Sequence, residues 1–404
     1  METTLREGVD WVGYVDWTVR DFHGYQTNRG STYNAYLIVD EKTALIDTVK
    51  APYADRLLAN VAALTDPEKV DYLVCNHAEP DHSGALAAMV SACPNAEVVC
   101  DAKCREALVR HYGAEDWPFR VVADGETLSL GRRSLRFIET PMVHWPESMA
   151  TFCPEEKLLF SMDGFGQHYA SAGRFDDLES LDVVLAEAKT YYANILMLYG
   201  KPIGRTLARA GELDIEMIAP SHGVIWRGRP DLILEAYRDW IVQKPAAKVL
   251  VVYDTMWQST ERMAEAILEG AIAEDVRARL INVRASNITE LATEVLDAAA
   301  IAVGSPTLNS TLMPQVAAAL TYLKGLKPAG KAGFAFGSYG WAKVGALDVQ
   351  RYLEQMRFLL LREPLISQFV PSDACLEECR AAGRELAETA VRLAEAEAQA
   401  TSAG

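Results

Sequence analysis

Short apolar runs alternate with longer amphipathic stretches up to about residue 245. Apolar runs of three to five residues predict strands at 36–39, 44–46, 71–75, 96–100, 134–138, 158–160 and 215–219. Helical spacing of the apolar positions predicts helices at 53–64, 85–91 and 181–198. Strands mixed with helices in this way indicate a layered domain in which helices cover the faces of sheets.

The pattern becomes more regular after the Pro-containing segment 243–248, which we interpret as a linker. Apolar strands are predicted at 249–253, 279–283, 300–304 and 332–336. Each is followed by a predicted helix, at 261–272, 289–298, 313–323 and 346–360, and a last helix is predicted at 376–398. This alternation predicts a doubly wound parallel sheet. The predicted domains are therefore 1–246 and 247–404, both of the α/β class.

Charge and composition limit the possible partners and compartments. The chain has 39 Lys and Arg against 56 Asp and Glu, a net charge of −17 that repels a polyanion, so no nucleic-acid partner is expected. No apolar run reaches the roughly 18 residues that span a bilayer, and the first residues lack a signal-peptide pattern. Seven cysteines without a C-x-x-C pair are typical of reduced thiols. We therefore expect a cytoplasmic protein with no membrane association.

Potential metal ligands cluster directly after one of the predicted strands. Segment 77–82 reads His-Ala-Glu-Pro-Asp-His and offers four ligands within six residues. His144, Asp163 and His222 follow later strand-like runs, and the glycine after each of the last two allows a tight turn. Seven ligands divide naturally between two ions, three terminal ligands for each and one bridging carboxylate. Four nitrogens and three carboxylates without a thiolate favour iron, manganese or zinc.

Hydroxyl-bearing residues follow the first strand of the second half. Segment 254–261 reads Asp-Thr-Met-Trp-Gln-Ser-Thr-Glu, and a strand–helix turn of this kind can hold a phosphate through backbone N–H groups. Two further loops, 304–309 and 336–341, fall at the ends of later strands, where doubly wound sheets bind ligands. No G-x-G-x-x-G is present, so a dinucleotide site is not indicated.

The motif H-x-[EH]-x-D-H, followed by spaced His, Asp and His, resembles the pattern of the metallo-β-lactamase fold. Glu79 stands where hydrolases of that fold usually have His. With Glu at this position, the motif resembles that of the flavodiiron protein family, also called A-type flavoproteins. Segments 34–37, 144–149, 191–195, 219–223 and 253–257 resemble family signatures in family order. The resemblance covers nearly the whole chain, in particular to two-domain members of the rubredoxin:oxygen oxidoreductase type.

This resemblance implies an N-terminal metallo-β-lactamase-like αββα domain with a diiron centre and a C-terminal flavodoxin-like domain with FMN. The implied iron ligands are His77, Glu79 and His144 for one iron, Asp81, His82 and His222 for the other, and Asp163 as the bridge. The implied FMN residues are Thr255, Met256, Trp257, Gln258, Ser259, Thr260, Pro306, Thr307, Leu308, Asn309, Ser338, Tyr339, Gly340 and Trp341. Gln258 departs from simple flavodoxins, which usually have Gly at that position. For the two tryptophans, packing near a loop is the alternative.

The implied activity is the reduction of O₂ to water or of NO to N₂O, with electrons passed through FMN from rubredoxin or a similar donor. The implied assembly is a head-to-tail homodimer in which the FMN of one subunit faces the diiron site of the other. Neither the choice of gas nor the pairing of dimers into tetramers follows from the sequence. Cys375 and Cys379 form C-x₃-C without a second pair, so they do not form a fused rubredoxin site. We interpret them as small buried thiols on one helix face.

Two residues are candidates to donate hydrogen bonds to a bound oxygen species, namely Tyr192 and His168. The alternatives are core packing for Tyr192 and a surface loop for His168. Segment 324–331 carries three lysines and precedes the strand that leads into loop 338–341, so it is a candidate docking patch for an acidic donor. A solvated turn is the alternative for that segment.

Two other functions are compatible with the same residues. One is a zinc-dependent hydrolase of the metallo-β-lactamase fold fused to a flavodoxin module, against which Glu79 argues. The other is an electron-shuttle protein with a vestigial metal site, against which seven intact ligand candidates argue. Metal and flavin analysis separates these alternatives from the reductase.

Overall fold

The computed structural model describes the backbone of residues 2–403 and the side chains of residues 2–399. The chain forms two compact units, one of Met1–Tyr191 with Tyr199–Arg238 and the other of Tyr192–Leu198 with Asp239–Gly404. The predicted domain boundary between residues 246 and 247 stays a prediction. Across the described residues, every helix is either too short or too polar to cross a lipid bilayer.

The first unit contains two large sheets, with strand orders β1-β2-β7-β8-β9-β10-β11 and β12-β13-β14-β15-β16. The strands are β1 (Thr4–Arg6), β2 (Val9–Trp11), β3 (Tyr14–Asp16), β4 (Asp21–Phe22), β5 (Tyr25–Gln26), β6 (Ser31–Tyr33), β7 (Tyr36–Ile38), β8 (Thr43–Ile46), β9 (Val70–Val74), β10 (Glu97–Cys100), β11 (Phe119–Val121), β12 (Thr127–Ser129), β13 (Ser134–Glu139), β14 (Met149–Cys153), β15 (Leu158–Met162) and β16 (Met217–Pro220). The pairs β3–β6 and β4–β5 form two small separate ribbons.

The helices of the first unit cover the outer faces of these sheets. They are α1 (Ala54–Ala62), α2 (Pro80–Ser83), α3 (Leu86–Ala92), α4 (Ala102–Tyr112), α5 (Leu181–Tyr191), α6 (Gly200–Ala210) and α7 (Pro230–Ile241). The inner faces of the two sheets share one core, in which the rings of Tyr36 and Phe160 lie 5.2 Å apart between centroids. Burial of this shared apolar surface holds the layers together. The predicted metallo-β-lactamase-like αββα sandwich is confirmed.

The second unit is a parallel sheet flanked by helices. Its strands are β17 (Ala246–Tyr253), β18 (Arg277–Asn282), β19 (Ala298–Gly304), β20 (Ala332–Tyr339), β21 (Leu359–Leu360) and β22 (Leu365–Gln368). Its helices are α8 (Ser259–Ala271), α9 (Ile288–Asp297), α10 (Pro314–Leu326), α11 (Gly345–Gln355) and α12 (Asp373–Ala403). The order β18-β17-β19-β20, followed by β21 and β22 beside β20, is the flavodoxin order. The predicted doubly wound sheet is therefore confirmed.

Three local predictions were wrong, the first two of them because strand pairing overrides the local pattern. The helix predicted at 346–360 ends at Gln355, and residues 359–360 instead pair with β20. The predicted linker 243–248 already contains the start of β17 at Ala246. The helix predicted at 181–198 is α-helical only to Tyr191 and continues as a π-helical and a 3₁₀ turn. Strands before residue 36, as well as β11, β12 and β14, were not predicted.

Candidate metal centre and flavin site

Five of the seven predicted metal ligands lie in loops at the ends of strands of both sheets, and the other two lie in a short helix. His77 follows β9, Asp163 directly follows β15, and His222 follows β16. Asp81 and His82 belong to the short helix α2, which begins at Pro80. The structure thus gathers at one edge of the sandwich residues that are up to 145 positions apart, counted from His77 to His222.

The glycines predicted to allow tight turns behave differently. Gly223 has φ +79°, and a Cβ there would lie 2.1 Å from Oε1 of Gln167, so the turn after His222 requires glycine. The chain also turns at residues 163–165, as predicted after Asp163, but Gly164 does not adopt a positive φ there. The unusual conformation lies one residue further on, at Phe165 with φ +67°.

Seven side chains form two adjacent groups of ligand atoms. One group contains His77, Glu79, His144 and Asp163, and the other contains Asp81, His82 and His222; within each, the ligand atoms lie within 4.8 Å of one another. Nε2 of His144 is 3.3 Å from Glu79 and 3.1 Å from Asp163, and Nε2 of His222 is 3.2 Å from Asp81. Two ligands that share an ion at about 2.1 Å lie roughly 3 to 3.5 Å apart, so these spacings fit one ion in each group.

Asp163 faces both groups with different oxygens. Its Oδ2 lies 3.1 Å from Nε2 of His144 and 3.6 Å from Nε2 of His77. Its Oδ1 lies 3.2 Å from Nε2 of His82 and 3.4 Å from Nε2 of His222. This is the arrangement that a carboxylate bridging two ions requires.

Several buried atoms of the cluster lie close to charged neighbours but make no hydrogen bond to them or to any other described residue. They are Oδ1 of Asp81, Nε2 of His82 and Oδ2 of Asp163. Buried polar atoms are normally paired, because an unpaired one loses its hydration without compensation. All three belong to the predicted ligand atoms, and bound cations would satisfy them. The donor set therefore fits two metal ions.

The carboxylates make the cluster strongly attractive to cations. Burial opposes a positive charge on His77, but hydrogen bonds to Glu147 and Glu79 outweigh it and raise its pKa to about 9. The pKa of His82 and that of His144 are likewise raised to about 9 against the effect of burial, in both cases by Asp163 and a second carboxylate. The pKa of His222 is raised to about 10, since Asp163 and Asp81 outweigh its burial. Any metal must therefore displace protons from these rings.

Further contacts orient the histidines from behind. Nδ1 of His77 lies 2.8 Å from Oε1 of Glu147, and Nδ1 of His222 lies 2.6 Å from the carbonyl oxygen of Thr32. Each contact uses Nδ1 and leaves Nε2 to face the ligand cluster. Glu147 was not predicted as a site residue, although it lies within the segment 144–149 that resembles a family signature.

The backbone before His77 is fixed by a buried polar network. The backbone N–H of Asn76 donates to Oδ1 of Asp47 at 2.7 Å, and its side-chain amide donates to Oδ2 at 2.9 Å. The hydroxyl of Thr151 donates to the amide oxygen of Asn76 at 2.7 Å. Burial raises the pKa of Asp47. The charge of the neighbouring His82 and the hydrogen bonds from Asn76 reduce this shift but do not cancel it. A fully satisfied buried network of this kind rigidifies the loop that carries the first ligands.

The structure brings Tyr191, rather than the predicted Tyr192, into contact with the cluster. The hydroxyl of Tyr191 donates to Oδ1 of Asp163 at 2.8 Å. Tyr192 is buried, and its ring lies 5.3 Å from that of Trp240. The sequence pattern could not separate the two, because α5 ends at Tyr191 and a π-helical turn begins at Tyr192. The oxygen-binding role predicted for Tyr192 stays a prediction.

His168 is buried and adjoins the cluster, so the surface-loop alternative was wrong. Its Nδ1 lies 2.8 Å from the hydroxyl of Ser31, its Nε2 lies 3.2 Å from that of Tyr25, and its ring is 5.1 Å from that of His222. Burial and the charge of His222 hold the pKa of His168 well below its usual value, so the ring is neutral. Its predicted role as a donor to bound oxygen stays a prediction.

A small ribbon, β4 with β5, covers one side of the cluster. Between the two strands, His23 places Nε2 2.9 Å from Oε1 of Glu79, while its side chain stays 64% exposed. The ring of Phe22 lies 4.7 Å from that of His168 and is itself buried. The ribbon therefore shields the histidines on its inner side and keeps one polar side chain in contact with water. Neither residue was predicted from the sequence.

The three predicted flavin loops surround one cavity of about 530 Å³ in the second unit. Predicted residues that line it are Met256, Trp257, Ser259, Pro306, Thr307, Leu308, Asn309, Ser338, Tyr339, Gly340 and Trp341. Ser310, Ala342, Phe369 and Val370 also line it but were not predicted. The size and the combination of aromatic and hydroxyl groups suit an isoalloxazine ring with its side chain.

Three predicted residues do not line this cavity but shape the loop at its end. Gln258 adopts φ +66° directly before α8, a conformation in which glycine would be less strained. The hydroxyl of Thr255 is buried without a hydrogen-bond partner among the described residues, as expected for a group that awaits an anion. Thr260 contacts the hydroxyl of Ser338 at 2.9 Å. The loop and the first turn of α8 fit a phosphate group.

Two predictions about the exposure of side chains were wrong in part, because burial could not be judged from the sequence. Lys331 of the predicted docking patch is 2% exposed, and its ammonium donates to the carbonyl of Leu296. Lys324 and Lys327 precede β20, whereas segment 338–341 begins with its last two residues, and the ends of this eight-residue strand are roughly 23 Å apart. Of the cysteines on α12, Cys379 is buried as predicted, but Cys375 is only partly buried.

Comparison with known proteins gives the same two-part organisation. Residues 32–223 match the family described as ODP family beta lactamase, and residues 251–383 match flavodoxin. The chain is 45% identical over 388 residues to the nitric oxide reductase of Moorella thermoacetica. The aligned region covers 95% of this chain and 97% of that protein.

Two further relatives extend this likeness. The chain is 41% identical over 391 residues to the rubredoxin-oxygen oxidoreductase of Megalodesulfovibrio gigas, covering 95% of this chain and 97% of that protein. The crystal structure of the flavodiiron protein from Giardia intestinalis superposes with a TM-score of 0.95 at 40% identity, over 98% of each chain. Sequence and fold therefore agree along almost the full length of the chain.

Proposed function

Because the chain belongs to the flavodiiron protein family, we propose that it reduces O₂, NO or both at a diiron centre held by the seven clustered residues. The observation that carries this proposal is Asp163, whose two oxygens face two separate groups of ligands. His77, Glu79 and His144 would hold one iron, and Asp81, His82 and His222 the other. The cavity beside loops 255–260, 306–309 and 338–341 would hold FMN.

When bound, FMN supplies electrons and the two irons bind and activate the gas. The residues of this chain orient and protect that chemistry. Glu147 and the carbonyl of Thr32 fix the rings of His77 and His222, and Tyr191 donates to the bridging carboxylate. Phe22 limits the access of water.

Protons consumed in forming water must reach this buried cluster. His23 is well placed to connect it with solvent, since its side chain is largely exposed and contacts Glu79. Glu79 itself is 8% exposed, so little of it contacts solvent directly.

A carboxylate at position 79 also supports the reductase over the zinc hydrolase. It adds a hard, anionic oxygen ligand where a hydrolase of this fold would have an imidazole, and such donors favour iron that changes oxidation state. Relatives named nitric oxide reductase and rubredoxin-oxygen oxidoreductase support the same choice.

For the electron donor we propose rubredoxin or a protein of similar size and charge, and for the assembly a head-to-tail homodimer. Trp257 and Trp341 are 90% and 93% exposed, and Phe369 and Val370 beside them are each 62% exposed. Large exposed apolar groups of this kind mark a surface that another protein covers. The cytoplasmic location remains a prediction.

The test is anaerobic and uses protein of known iron and FMN content. Rubredoxin with its reductase reduces the protein, which then receives O₂ or NO in separate runs. Consumption of O₂ without peroxide identifies an oxygen reductase, and loss of NO with formation of N₂O identifies a nitric oxide reductase. The matched control is His82→Asn with His222→Asn, which removes two ligands of one iron. Fully loaded protein that consumes neither gas would contradict the proposal.

A further inference from the structure

A cavity of about 40 Å³ lies inside the first unit, between the five-stranded sheet and helix α6. Its aliphatic lining comes from both sides, with Ile138, Ala150 and Leu159 on the strands and Ile203, Leu207 and Ala210 on the helix. Tyr237 of α7 also lines it. None of these residues is a metal ligand or a flavin-loop residue, so the functions described above do not account for the cavity.

The cavity is lined mainly by apolar groups, and two of its four lining hydroxyls are engaged within the protein. The hydroxyl of Ser161 donates to the carbonyl of Gly164 at 2.7 Å, and the hydroxyl of Tyr237 accepts the backbone N–H of Phe165 at 2.7 Å. Thr140 and Thr206 contribute the remaining hydroxyls. A water needs two to four polar partners and roughly 10–15 Å³, so the cavity has room for a guest but little to offer water.

The position of the cavity links it to the metal ligands. Val143 lines it and directly precedes His144, and Gly164 lines it and directly follows Asp163. Both of these ligands belong to the same group of the cluster. The cavity therefore adjoins both loops that carry them.

A second apolar cavity provides an internal comparison. It lies in the second unit, measures about 10 Å³ and is lined by Val252, Ala319, Leu320 and other aliphatic residues. Its lining includes no residue of the metal cluster or of the three flavin loops. It is too small for a diatomic guest, whereas the cavity under α6 is not.

We propose that the cavity under α6 is a binding site for the diatomic gas, O₂ or NO, on its way to the metal centre. This inference rests on the proposed function, since it assumes that the protein consumes one of these gases. Both gases are small, neutral and poor hydrogen-bond partners, so they favour a dry apolar space over water. A gas molecule held beside Val143 and Gly164, the chain neighbours of His144 and Asp163, raises the local concentration of substrate near the ligand cluster.

Xenon is a suitable probe, because it occupies dry apolar cavities without chemical reaction. Crystals of the iron- and FMN-loaded protein under xenon pressure should show one xenon atom under α6 and none in the cavity lined by Ala319. The absence of xenon under α6 would overturn the proposal. This measurement does not depend on turnover, so it is separate from the test of the proposed function.

Filling the cavity should impair the capture of gas. In Ala150→Leu and Ala210→Leu, xenon should be lost and KM for the gas should rise about fivefold, with kcat at saturating gas and iron content unchanged. The control Ala319→Val fills the small cavity of the second unit and should leave KM unchanged. Thermal unfolding identifies any variant that fails to fold. Ala210→Leu is the milder change, because Ala210 is partly exposed on α6. An unchanged kcat/KM in a folded variant without xenon would overturn the proposal.

Discussion

Nδ1 of His77 and Oε1 of Glu147 lie 2.8 Å apart, although the two residues are separated by 70 positions in the chain. Both side chains are buried, at 0% and 5% exposed. The hydrogen bond fixes the imidazole so that Nε2 faces Glu79 and Asp163. Burial raises the pKa of Glu147, but the contact with His77 outweighs it, so the net shift is downward and the carboxylate stays ionised. A carboxylate behind a metal-binding imidazole increases its basicity as well as its order.

Loss of Glu147 should therefore weaken the metal site without removing a ligand. For Glu147→Ala we expect iron affinity to fall about 10- to 100-fold, the range typical of such outer partners. Iron content and a competitive chelator titration measure the effect. The control Glu155→Gln changes an exposed carboxylate that contacts Ser134. Equal affinities in the two variants would show that Glu147 does not support His77.

Tyr191→Phe removes the hydroxyl that donates to the bridging Asp163. We expect turnover to fall by about tenfold while iron and FMN content remain unchanged, because one charge-assisted hydrogen bond is lost. Tyr192→Phe is the matched comparison, since it removes the neighbouring hydroxyl that the sequence analysis named as a candidate. A larger loss of turnover in Tyr192→Phe than in Tyr191→Phe would assign the role to Tyr192 instead.

Metal uptake by the metal-free protein should depend on pH. The pKa is about 9 for His77, His82 and His144 and about 10 for His222, so in the metal-free protein these imidazoles are protonated to the charged form at neutral pH. Metal binding requires neutral imidazole, so it releases protons and tightens as pH rises towards 9.

Calorimetry with Mn²⁺ between pH 6.5 and 8.5 measures this effect, with buffers of different ionisation enthalpy reporting the protons released. We expect affinity to rise about tenfold per pH unit for each proton displaced. His222→Asn should release fewer protons than the unaltered protein. Affinity that does not change with pH would contradict the raised pKa values.

The head-to-tail assembly predicts complementation between two inactive variants. One is His82→Asn with His222→Asn, which disrupts the metal site, and the other is Thr255→Asp with Ser259→Asp, which places negative charge in the predicted phosphate loop. Purified heterodimers of the two should regain part of the activity, since one of their two flavin–metal pairs is intact. Verified heterodimers without any activity would rule out electron transfer between subunits.

Electron delivery should depend on charge near the flavin cavity rather than on the lysines before β20. Lys343 is exposed, and its ammonium lies 5.4 Å from the ring centroid of Tyr339, which lines the cavity. Lys343→Glu should lower the rubredoxin-dependent rate by about tenfold at low salt, and less at high salt, because charge steers association. Lys327→Glu is the control at the other end of the strand. Equal rates in both variants would exclude Lys343 from docking.

Residues with a local signature could be predicted from the sequence. Asp81 and His82 sit in a dense motif after an apolar strand, and the flavin loops follow the strands of a regular βα alternation. In both cases a strand end is recognisable within a few residues, and the chemistry of the side chains limits what binds there. The fold class of each half followed from the same periodicity.

Contacts between distant segments were decided only by the tertiary structure. Glu147 and Tyr191 touch the metal ligands because sheets and helices far apart in the chain meet at one edge, and no local pattern reports that. The burial of Lys331 and the cavity beside Val143 likewise depend on how helices pack over sheet faces. Sequence periodicity records which face of an element is apolar, whereas packing decides which side chains share that face and what space remains between them.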